Sequence, residues 1–288
     1  MGARGGHFGL WGKVAGGWVR DKLLNKQSQD IDIALDKCTG VQFAEWLVQY
    51  QRLTSPPSSA PPKYHKILAN PSQSKHLETA TMTLLNYEVD LVNLRSETYA
   101  SSSRIPTCSI GSPPADASRR DFTCNALFYN LHERSVEDFT GTGVEDLRGG
   151  VLRTPVDAKV TFKDDPLRLL RGVRFAGRLG FTLDEGAMEA GRDPEVRRGL
   201  TEKVSRERIG KEVQGFFKEG GRPAVSYRIL YELGLVGLIY DVRGWGIEGS
   251  WDWVRHLEGF EGGLSGEEVR LAYLFGPLAG AGGGGEEE

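Results

Sequence analysis

Apolar residues in the first half of the chain recur at the spacings of both strands and helices. The run Lys13-Val14-Ala15 and the alternating run at 30–35 predict two strands. Two more strands are predicted at 81–85 and 87–94, joined as a hairpin. Apolar positions at helical spacing predict a helix over 41–50. The pattern therefore predicts a mixed sheet with associated helices.

Three other segments of this half carry weaker signals. The Pro-rich run 54–62 predicts a surface insertion, because proline cannot donate to a sheet ladder. The Ser/Pro-rich segment 101–118 predicts a loop, and the apolar segment 122–131 predicts a stretch that begins as a helix. Beyond these three segments, the run Thr140-Gly141-Thr142-Gly143 is rich in turn-forming residues.

From residue 165 onward the apolar spacing becomes helical. Pro166 directly follows Asp164 and Asp165, a combination typical of a helix start. Further helices are predicted over 184–192, 205–218 and 224–235. A domain boundary is therefore expected between 150 and 163, where strands give way to helices.

Composition and charge exclude several classes of protein. The net charge of −3 does not indicate a polyanionic partner, so nucleic-acid binding would require locally concentrated positive charge. Three cysteines, Cys38, Cys108 and Cys124, lack metal-like spacing and favour a reducing intracellular compartment over a disulfide framework. No apolar run is long enough to span a bilayer, and residues 1–12 lack the apolar core of a signal peptide.

Two glycines separate the first predicted strand from a predicted helix. Gly16 and Gly17 allow backbone N–H groups to approach an anion, and the helix N-terminus and Arg20 add positive charge. This arrangement suits a triphosphate. The alternative is a tight strand-to-helix turn with no ligand.

Asp30 and Asp32 follow about a dozen residues later. Strand alternation places both carboxylates on one face, where their repulsion favours a bound cation. Such a pair can hold one or two Mg²⁺ ions for displacement at a phosphate. A solvated strand face is the alternative, but a Gly-Gly turn followed by this pair is more specific than either feature alone.

Glu88 and Asp90 repeat the same spacing on a later strand. Asp90 is a candidate third metal ligand, or a residue that orients the first two. The alternatives are an exposed strand face and a structural ion pair with Arg95.

Several longer motifs occur in a fixed order. They are AGGWVRDKLL, DIDIAL, KHLETATM, EVDLVNLR, RRDFTCNALFYNL, GVEDLRGGVLRTP, DDPLRLLRGVRFAGRLGF and SRERIGKE. Together they resemble the class II tRNA nucleotidyltransferase and poly(A) polymerase family over residues 13–217. The KHLETATM and NALFYNL segments are more similar to the eukaryotic CCA-adding branch.

The resemblance implies an α+β fold. It implies an N-terminal nucleotidyltransferase head of the polymerase β type, with a mixed sheet, over 1–155. An all-helical neck for nucleotide selection and RNA binding would follow over 156–220, then part of a helical body over 221–278. The Gly/Glu-rich end, 279–288, is expected to be disordered.

The resemblance also assigns roles to individual residues. Asp30 and Asp32 would bind Mg²⁺ and carry the catalysis. The residues that would bind the nucleotide are Gly16, Gly17, Arg20, Arg120, Asp121, Asn125, Asp165, Arg168, Arg171 and Arg174. Of these, Asp121 and Asn125 would favour a ribonucleotide or shape its pocket. The loop over 63–82 would help to switch from C to A addition, although an ordinary surface loop is the alternative.

The basic helix can also be interpreted from its chemistry. Arg168, Arg171, Arg174 and Arg178 share one side, and Asp165 lies close to Arg168. A carboxylate accepts from an exocyclic amino group while a guanidinium donates to a ring nitrogen. Cytosine and adenine match that pattern, whereas guanine and uracil reverse it. The alternative is a solvated basic face.

The implied activity is Mg²⁺-dependent addition of C, C and A from CTP and ATP to the 3′ end of tRNA. Alternatives are partial CC- or A-addition, poly(A) synthesis, and a truncated non-catalytic RNA-binding paralogue. The expected partner is tRNA, with no membrane and no stable protein partner. An intracellular location is expected, with cytoplasm, nucleus and mitochondrion left open.

Overall fold

The computed structural model describes residues 12–54, 56, 63–67, 78–99, 105–218 and 220–240. They form two compact units. The N-terminal unit contains the described residues up to 149 together with 154–156, and the C-terminal unit contains 150–153 and 157–240. The predictions for the tail, for the helical body beyond residue 240, for most of the Pro-rich insertion and for the centre of the 63–82 loop lie outside the described residues.

A seven-stranded mixed sheet organises the N-terminal unit. The strands of this unit are β1 (Gly12–Ala15), β2 (Ile31–Leu35), β3 (Tyr64–Ile67), β4 (Thr79–Leu84), β5 (Tyr87–Asn93), β6 (Arg95–Thr98), β7 (Thr107–Ile110), β8 (Leu127–Asn130) and β9 (Ser135–Asp138). The sheet order is β3-β4-β5-β2-β1-β8-β9, and β6 and β7 form a separate antiparallel pair. Strands β2 and β5 run parallel, whereas the other pairs of the large sheet are antiparallel.

Both faces of the central strand β2 are covered. The helices of this unit are α1 (Gly17–Leu23), α2 (Gly40–Thr54), α3 (Pro113–Ser118) and α4 (Gly143–Gly149). Leu35 packs on one face with Ala44 of α2, and Ala34 packs on the other with Ala117 of α3. Because successive side chains of a strand point to opposite faces, this double burial requires an apolar run at the end of β2. The one polar side chain of β2, that of Asp32, lies near the beginning of the strand.

The predicted hairpin is confirmed. Strands β4 and β5 join through Leu85 and Asn86, which both have positive φ, 50° and 69°. Positive φ at both central residues is typical of the two-residue turns that match strand twist.

Three local predictions were wrong in part. The described ends of the predicted 63–82 loop belong to the paired strands β3 and β4. Residues 122–131 contain only a three-residue 3-10 turn, Thr123–Asn125, before strand β8. A short apolar run fits a buried strand and a helix equally well, so its spacing did not decide between them. The predicted 101–118 loop contains strand β7 and helix α3, which begins at Pro113 after a Ser112 side-chain cap.

The C-terminal unit is helical apart from one short parallel pair of strands. Its elements are β10 (Val151–Leu152), α5 (Ala158–Asp164), α6 (Leu167–Leu179), β11 (Thr182–Leu183), α7 (Glu185–Arg192), α8 (Pro194–Glu202), α9 (Arg206–Gly215), α10 (Pro223–Glu232) and α11 (Val236–Tyr240). Helix α6 begins after Pro166, where Asp165 accepts a hydrogen bond from the backbone N–H of Leu167 at 3.2 Å, and it ends at left-handed Gly180. Helices α5, α9 and α10 surround it. Within the described chain, no helix has the length and apolar character needed to cross a bilayer.

Gly177 sets the close approach of α6 and α10. A Cβ at this position would lie 2.4 Å from Oγ of Ser226 and 3.0 Å from the Arg222 carbonyl oxygen. We expect Gly177→Ala to destabilise the protein by about 2 kcal/mol, because the overpacking exceeds the gain in helix propensity. Urea unfolding measures this change.

Gly210 provides the matched control in α9. No heavy atom lies within 4 Å of the position its Cβ would occupy. Gly210→Ala is therefore expected to stabilise the protein, by up to about 1 kcal/mol. Equal effects of the two substitutions would contradict the assignment of a close helix contact at Gly177.

Candidate active site

Three carboxylates converge where β2 begins. Asp30 directly precedes β2, and Asp32 lies opposite Asp90 in the parallel pairing with β5. One oxygen from each of these side chains lies within 4.8 Å of the others. The Asp90 carboxylate accepts a hydrogen bond from the Thr81 hydroxyl of β4, rather than pairing with Arg95. The structure thus brings together the three acidic residues that the sequence proposed as metal ligands.

The carboxylate group of Asp32 is in an unfavourable environment when charged. Burial and the negative charge of Asp30 raise the pKa of Asp32 to about 6, even though Arg120 and Arg95 act in the opposite direction. The carboxylates of Asp30 and Asp90 each place an oxygen within 4.8 Å of one from Asp32, and the site therefore has excess negative charge. A set of carboxylate oxygens is the donor set that hard divalent cations take, so the residues present fit such an ion.

The Gly-Gly turn lies beside an arginine of the same unit. Gly16 has φ +76°, a conformation that side chains disfavour, and its N–H donates to the Leu127 carbonyl at 2.9 Å. A Cβ on Gly16 would lie 2.5 Å from Nη1 of Arg120. Glycine is therefore required both for the backbone turn and for the approach of Arg120. Helix α1 starts at Gly17, and Gly16 offers no side chain to cap its first-turn N–H groups.

Arg20 lies in a buried hydrogen-bonded chain. Its Nη1 donates to Oδ1 of Asn125 at 2.6 Å, and its Nε donates to Oδ1 of Asp21 at 2.8 Å. Nδ2 of Asn125 then donates to Oδ1 of Asp121 at 2.9 Å. The three predicted nucleotide-binding residues Arg20, Asn125 and Asp121 are thus connected side by side. Asp21, which the sequence did not single out, neutralises the charge of Arg20.

Asp116 was missed by sequence reasoning, and Arg95 was named only as a possible ion-pair partner of Asp90. Asp116 is 1% exposed and accepts from the side chains of both Arg119 and Arg120. Its position three and four residues before those arginines was the available signal. Arg95 brings a second positive charge towards Asp32, and its buried Nε has no hydrogen-bond partner within the described part of the chain.

The four residues proposed to select the base lie at the start of, or along, α6. Arg168 is buried, with 8% of its surface exposed. Nε of Arg174 donates to Glu212 of α9 at 2.6 Å, and its guanidinium stacks over the Phe175 ring at 4.4 Å. The guanidinium of Arg171 lies 5.5 Å from the centre of the same ring. These arginines are packed within the C-terminal unit, so the alternative of a solvated basic face does not describe them.

The N-terminal unit is a nucleotidyltransferase head. Residues 13–153 match the poly(A) polymerase head domain, and the chain belongs to this family. The match confirms both the predicted α+β class and the family resemblance read from the motifs.

The chain is also similar to characterised relatives. It is 48% identical over 229 residues to a mitochondrial CCA tRNA nucleotidyltransferase of Saccharomyces cerevisiae, covering 79% of this chain and 42% of the relative. The identity is 47% over 238 residues to the protein of that name from Candida glabrata, covering 81% and 45%. The chain therefore spans less than half the length of these relatives.

A solved structure shows the same fold. A tRNA nucleotidyltransferase complexed with a primer tRNA and an incoming ATP analog superposes with a TM-score of 0.66. The two sequences are 24% identical, and the superposition covers 94% of this chain and 71% of that one.

Proposed function

We propose that this chain adds C, C and A to the 3′ end of tRNA, using CTP and ATP. The observation that carries the proposal is the cluster of Asp30, Asp32 and Asp90 in a nucleotidyltransferase head, near the charge of Arg120. The names of the two yeast relatives and the tRNA and ATP analog bound to the structural neighbour support the choice of substrates.

Mg²⁺ is the proposed cofactor, held by Asp30 and Asp32 with Asp90 as the third carboxylate. When bound, it would activate the attacking hydroxyl and stabilise charge at the phosphate. The three carboxylates would position the reaction at the start of β2. Most of the catalysis would come from positioning and electrostatics, as in other phosphoryl transfers.

The triphosphate would lie against the turn at Gly16 and Gly17. The uncapped N–H groups of α1 and the guanidinium of Arg120 supply donors there, and Arg20 adds its charge from the buried chain. Asp121 and Asn125 hold one another at 2.9 Å and are proposed to favour a ribonucleotide.

Base selection is proposed for α6. Asp165 would accept from the amino group of C or A, and Arg168 would donate to the adjacent ring nitrogen. Arg171 and Arg174 would support them, with Arg174 held by Glu212. We also propose an intracellular location, and the names of the yeast relatives favour the mitochondrion.

The decisive experiment is an extension assay on a tRNA transcript that ends at the discriminator base. The transcript is incubated with each nucleoside triphosphate alone and with pairs, and the products are sequenced. We expect two C residues from CTP alone and a completed CCA from CTP with ATP. Products ending at CC, single A additions or long A tails would assign one of the partial activities or poly(A) synthesis instead. Absence of all incorporation would support a non-catalytic RNA-binding role.

The stability of the cation-free protein should depend on the protonation of Asp32. Its folded-state pKa of about 6 exceeds its ordinary value of 3.8. The folded state therefore binds the proton more tightly, and this contribution to stability, present below pH 3.8, is lost as the pH rises through about 6. We expect a loss on the order of 2 kcal/mol from this group in EDTA.

Bound Mg²⁺ should compensate for that loss. We expect Mg²⁺ to raise the unfolding temperature more at about pH 7.5 than at about pH 5, because protons compete with the ion at Asp32. Differential scanning fluorimetry measures both series. A Mg²⁺ shift of equal size at both pH values would contradict a cation site that includes Asp32.

A further inference from the structure

Helix α3 buries a carboxylate between two arginines. Asp116 is 1% exposed. Its Oδ1 accepts from Nε and Nη2 of Arg119 at 2.9 and 2.6 Å, and from the backbone N–H of Arg95 at 2.9 Å. Its Oδ2 accepts from Nε and Nη2 of Arg120 at 2.9 and 2.8 Å. One buried carboxylate thus accepts two hydrogen bonds from each of two guanidinium groups, which fixes the orientation of both.

Arg119 and Arg120 have different surroundings. Nη1 of Arg119 donates to Glu97 of β6 at 2.9 Å, so this guanidinium lies between two acidic side chains. Among the described residues, Arg120 has no second carboxylate as a hydrogen-bond partner: its Nη1 donates to the Asn125 carbonyl at 3.2 Å, and its guanidinium lies over the Phe128 ring at 5.1 Å. Arg119 is therefore held by internal ion pairs, whereas Arg120 keeps N–H groups that bond no described residue.

The unused donors of Arg120 can be counted. A guanidinium has five N–H groups, and Asp116 and Asn125 take three of those on Arg120. The remaining two have no partner within the described residues. Nη1 also lies at the Gly16 turn, 2.5 Å from where a Cβ would be. The hydrogen bonds to Asp116 therefore hold the free edge of Arg120 at the turn proposed for the triphosphate.

Asp116 keeps its charge in this position. Burial alone would raise the pKa of Asp116, but the charges of Arg120 and Arg119 and the hydrogen bonds from Arg95 and Arg119 outweigh burial and lower it. The carboxylate is thus an ionised acceptor for both arginines at neutral pH.

We propose that Asp116 is a positioning residue that orients Arg120 for the phosphates of the incoming nucleotide. The inference rests on the proposed function, because Arg120 must meet a nucleotide for its orientation to matter. Asp116 would not touch the substrate. It would act by removing the rotational freedom of Arg120 before binding, which reduces the entropy lost when the phosphate contact forms.

The test is a double-mutant cycle on the whole chain. Asp116→Asn keeps the size of the side chain but loses its charge and one acceptor. We expect it to raise KM for ATP about tenfold and to change kcat by less than about threefold. In the Arg120→Ala background, Asp116→Asn should have no further effect on KM. A further tenfold rise in that background would overturn the proposal, because Asp116 would then act without Arg120.

Two other variants separate positioning from general stability. Glu137→Gln weakens the partly buried ion pair with Lys13 in the same unit and should lower the unfolding temperature without changing KM. Arg119→Gln removes one partner of Asp116 but leaves its two bonds to Arg120, so KM should stay within about twofold. Equal effects of Asp116→Asn and Glu137→Gln on KM would show a merely structural role and overturn the proposal.

Binding of inorganic tripolyphosphate provides a readout that does not depend on transfer. Isothermal titration calorimetry with tripolyphosphate and Mg²⁺ should show about tenfold weaker binding for Asp116→Asn and for Arg120→Ala, without additivity in the double variant. This result would support the positioning role even if the wild-type chain failed to extend tRNA, which would refute the proposed function alone. Unchanged tripolyphosphate binding by Asp116→Asn would overturn the positioning role.

Discussion

Replacing Asp32 with alanine is expected to abolish nucleotide incorporation, with a loss on the order of a thousandfold or more. Asp32 is the central carboxylate of the cluster, lying opposite Asp90 across the parallel strand pair and next but one to Asp30. Without it, two carboxylates would remain to hold the proposed ion, and several kcal/mol of charge stabilisation would be lost. Single-turnover extension of a tRNA transcript with radiolabelled CTP measures the effect.

The same substitution should leave the fold intact. Because burial and Asp30 disfavour the charged form of Asp32, its removal relieves repulsion in the cation-free protein at neutral pH. We therefore expect an unfolding temperature in EDTA equal to or above that of the wild type. Lost incorporation together with a lower unfolding temperature would point to damage of the fold instead.

Glu88→Gln is the matched control for Asp32→Ala. Glu88 lies on β5 two residues before Asp90, is exposed, and lies outside the carboxylate cluster. Its substitution should leave incorporation within about twofold of wild type, since exposed charges contribute little. Substantial incorporation by Asp32→Ala would refute the assignment of the metal site.

The sequence predicted this cluster well because its geometry is mostly local. Strand alternation fixes the relation of Asp30 and Asp32 as soon as β2 is recognised. Asp90 was proposed only as one of several alternatives, because its place depends on the parallel pairing of β2 with β5. That pairing joins segments far apart in sequence, and a shift by one residue would turn Asp90 to the other face.

The residues that support Arg120 were harder to predict. Asp116 lies in a segment that reads as a Ser/Pro-rich loop, and its burial depends on α3 packing over Ala34 and Phe128. The N–H of Gly16 was expected to be open to an anion, but it joins the sheet through Leu127. In both cases the tertiary pairing of the backbone decided the outcome, and local sequence carries little information about such pairing.

Helix α6 shows a third limit of prediction from sequence, which is whether a charged face is solvated or packed. Spacing alone placed Arg168, Arg171 and Arg174 on one side of α6, yet did not distinguish a solvated face from a packed one. The structure buries Arg168 and pairs Arg174 with Glu212. A buried guanidinium needs hydrogen-bond acceptors. The groups that surround Arg168 therefore say more about its role than its spacing along the helix does.

The second large effect is expected from Arg168→Ala, which should weaken discrimination between bases more than it weakens triphosphate binding. In the proposed site, Arg168 donates to a ring nitrogen that C and A offer and that G and U replace with an N–H. Each mismatched buried group costs about 1–3 kcal/mol, so selectivity for CTP over UTP should fall about tenfold to a hundredfold. The measurement is kcat/KM for all four nucleotides on tRNA ending at the discriminator base and at CC.

Arg178→Ala is the control for this prediction, since Arg178 lies on the same helix but is exposed. It removes the same charge from α6 and should leave the ratio of CTP to UTP use unchanged. Asp165→Asn provides an independent check, because an amide can donate where the carboxylate only accepts, and it should reduce rejection of UTP and GTP. Unchanged selectivity in Arg168→Ala, with incorporation still measurable, would show that base choice is made elsewhere. Tripolyphosphate binding within about threefold of wild type would confirm that Arg168 acts on the base rather than on the phosphates.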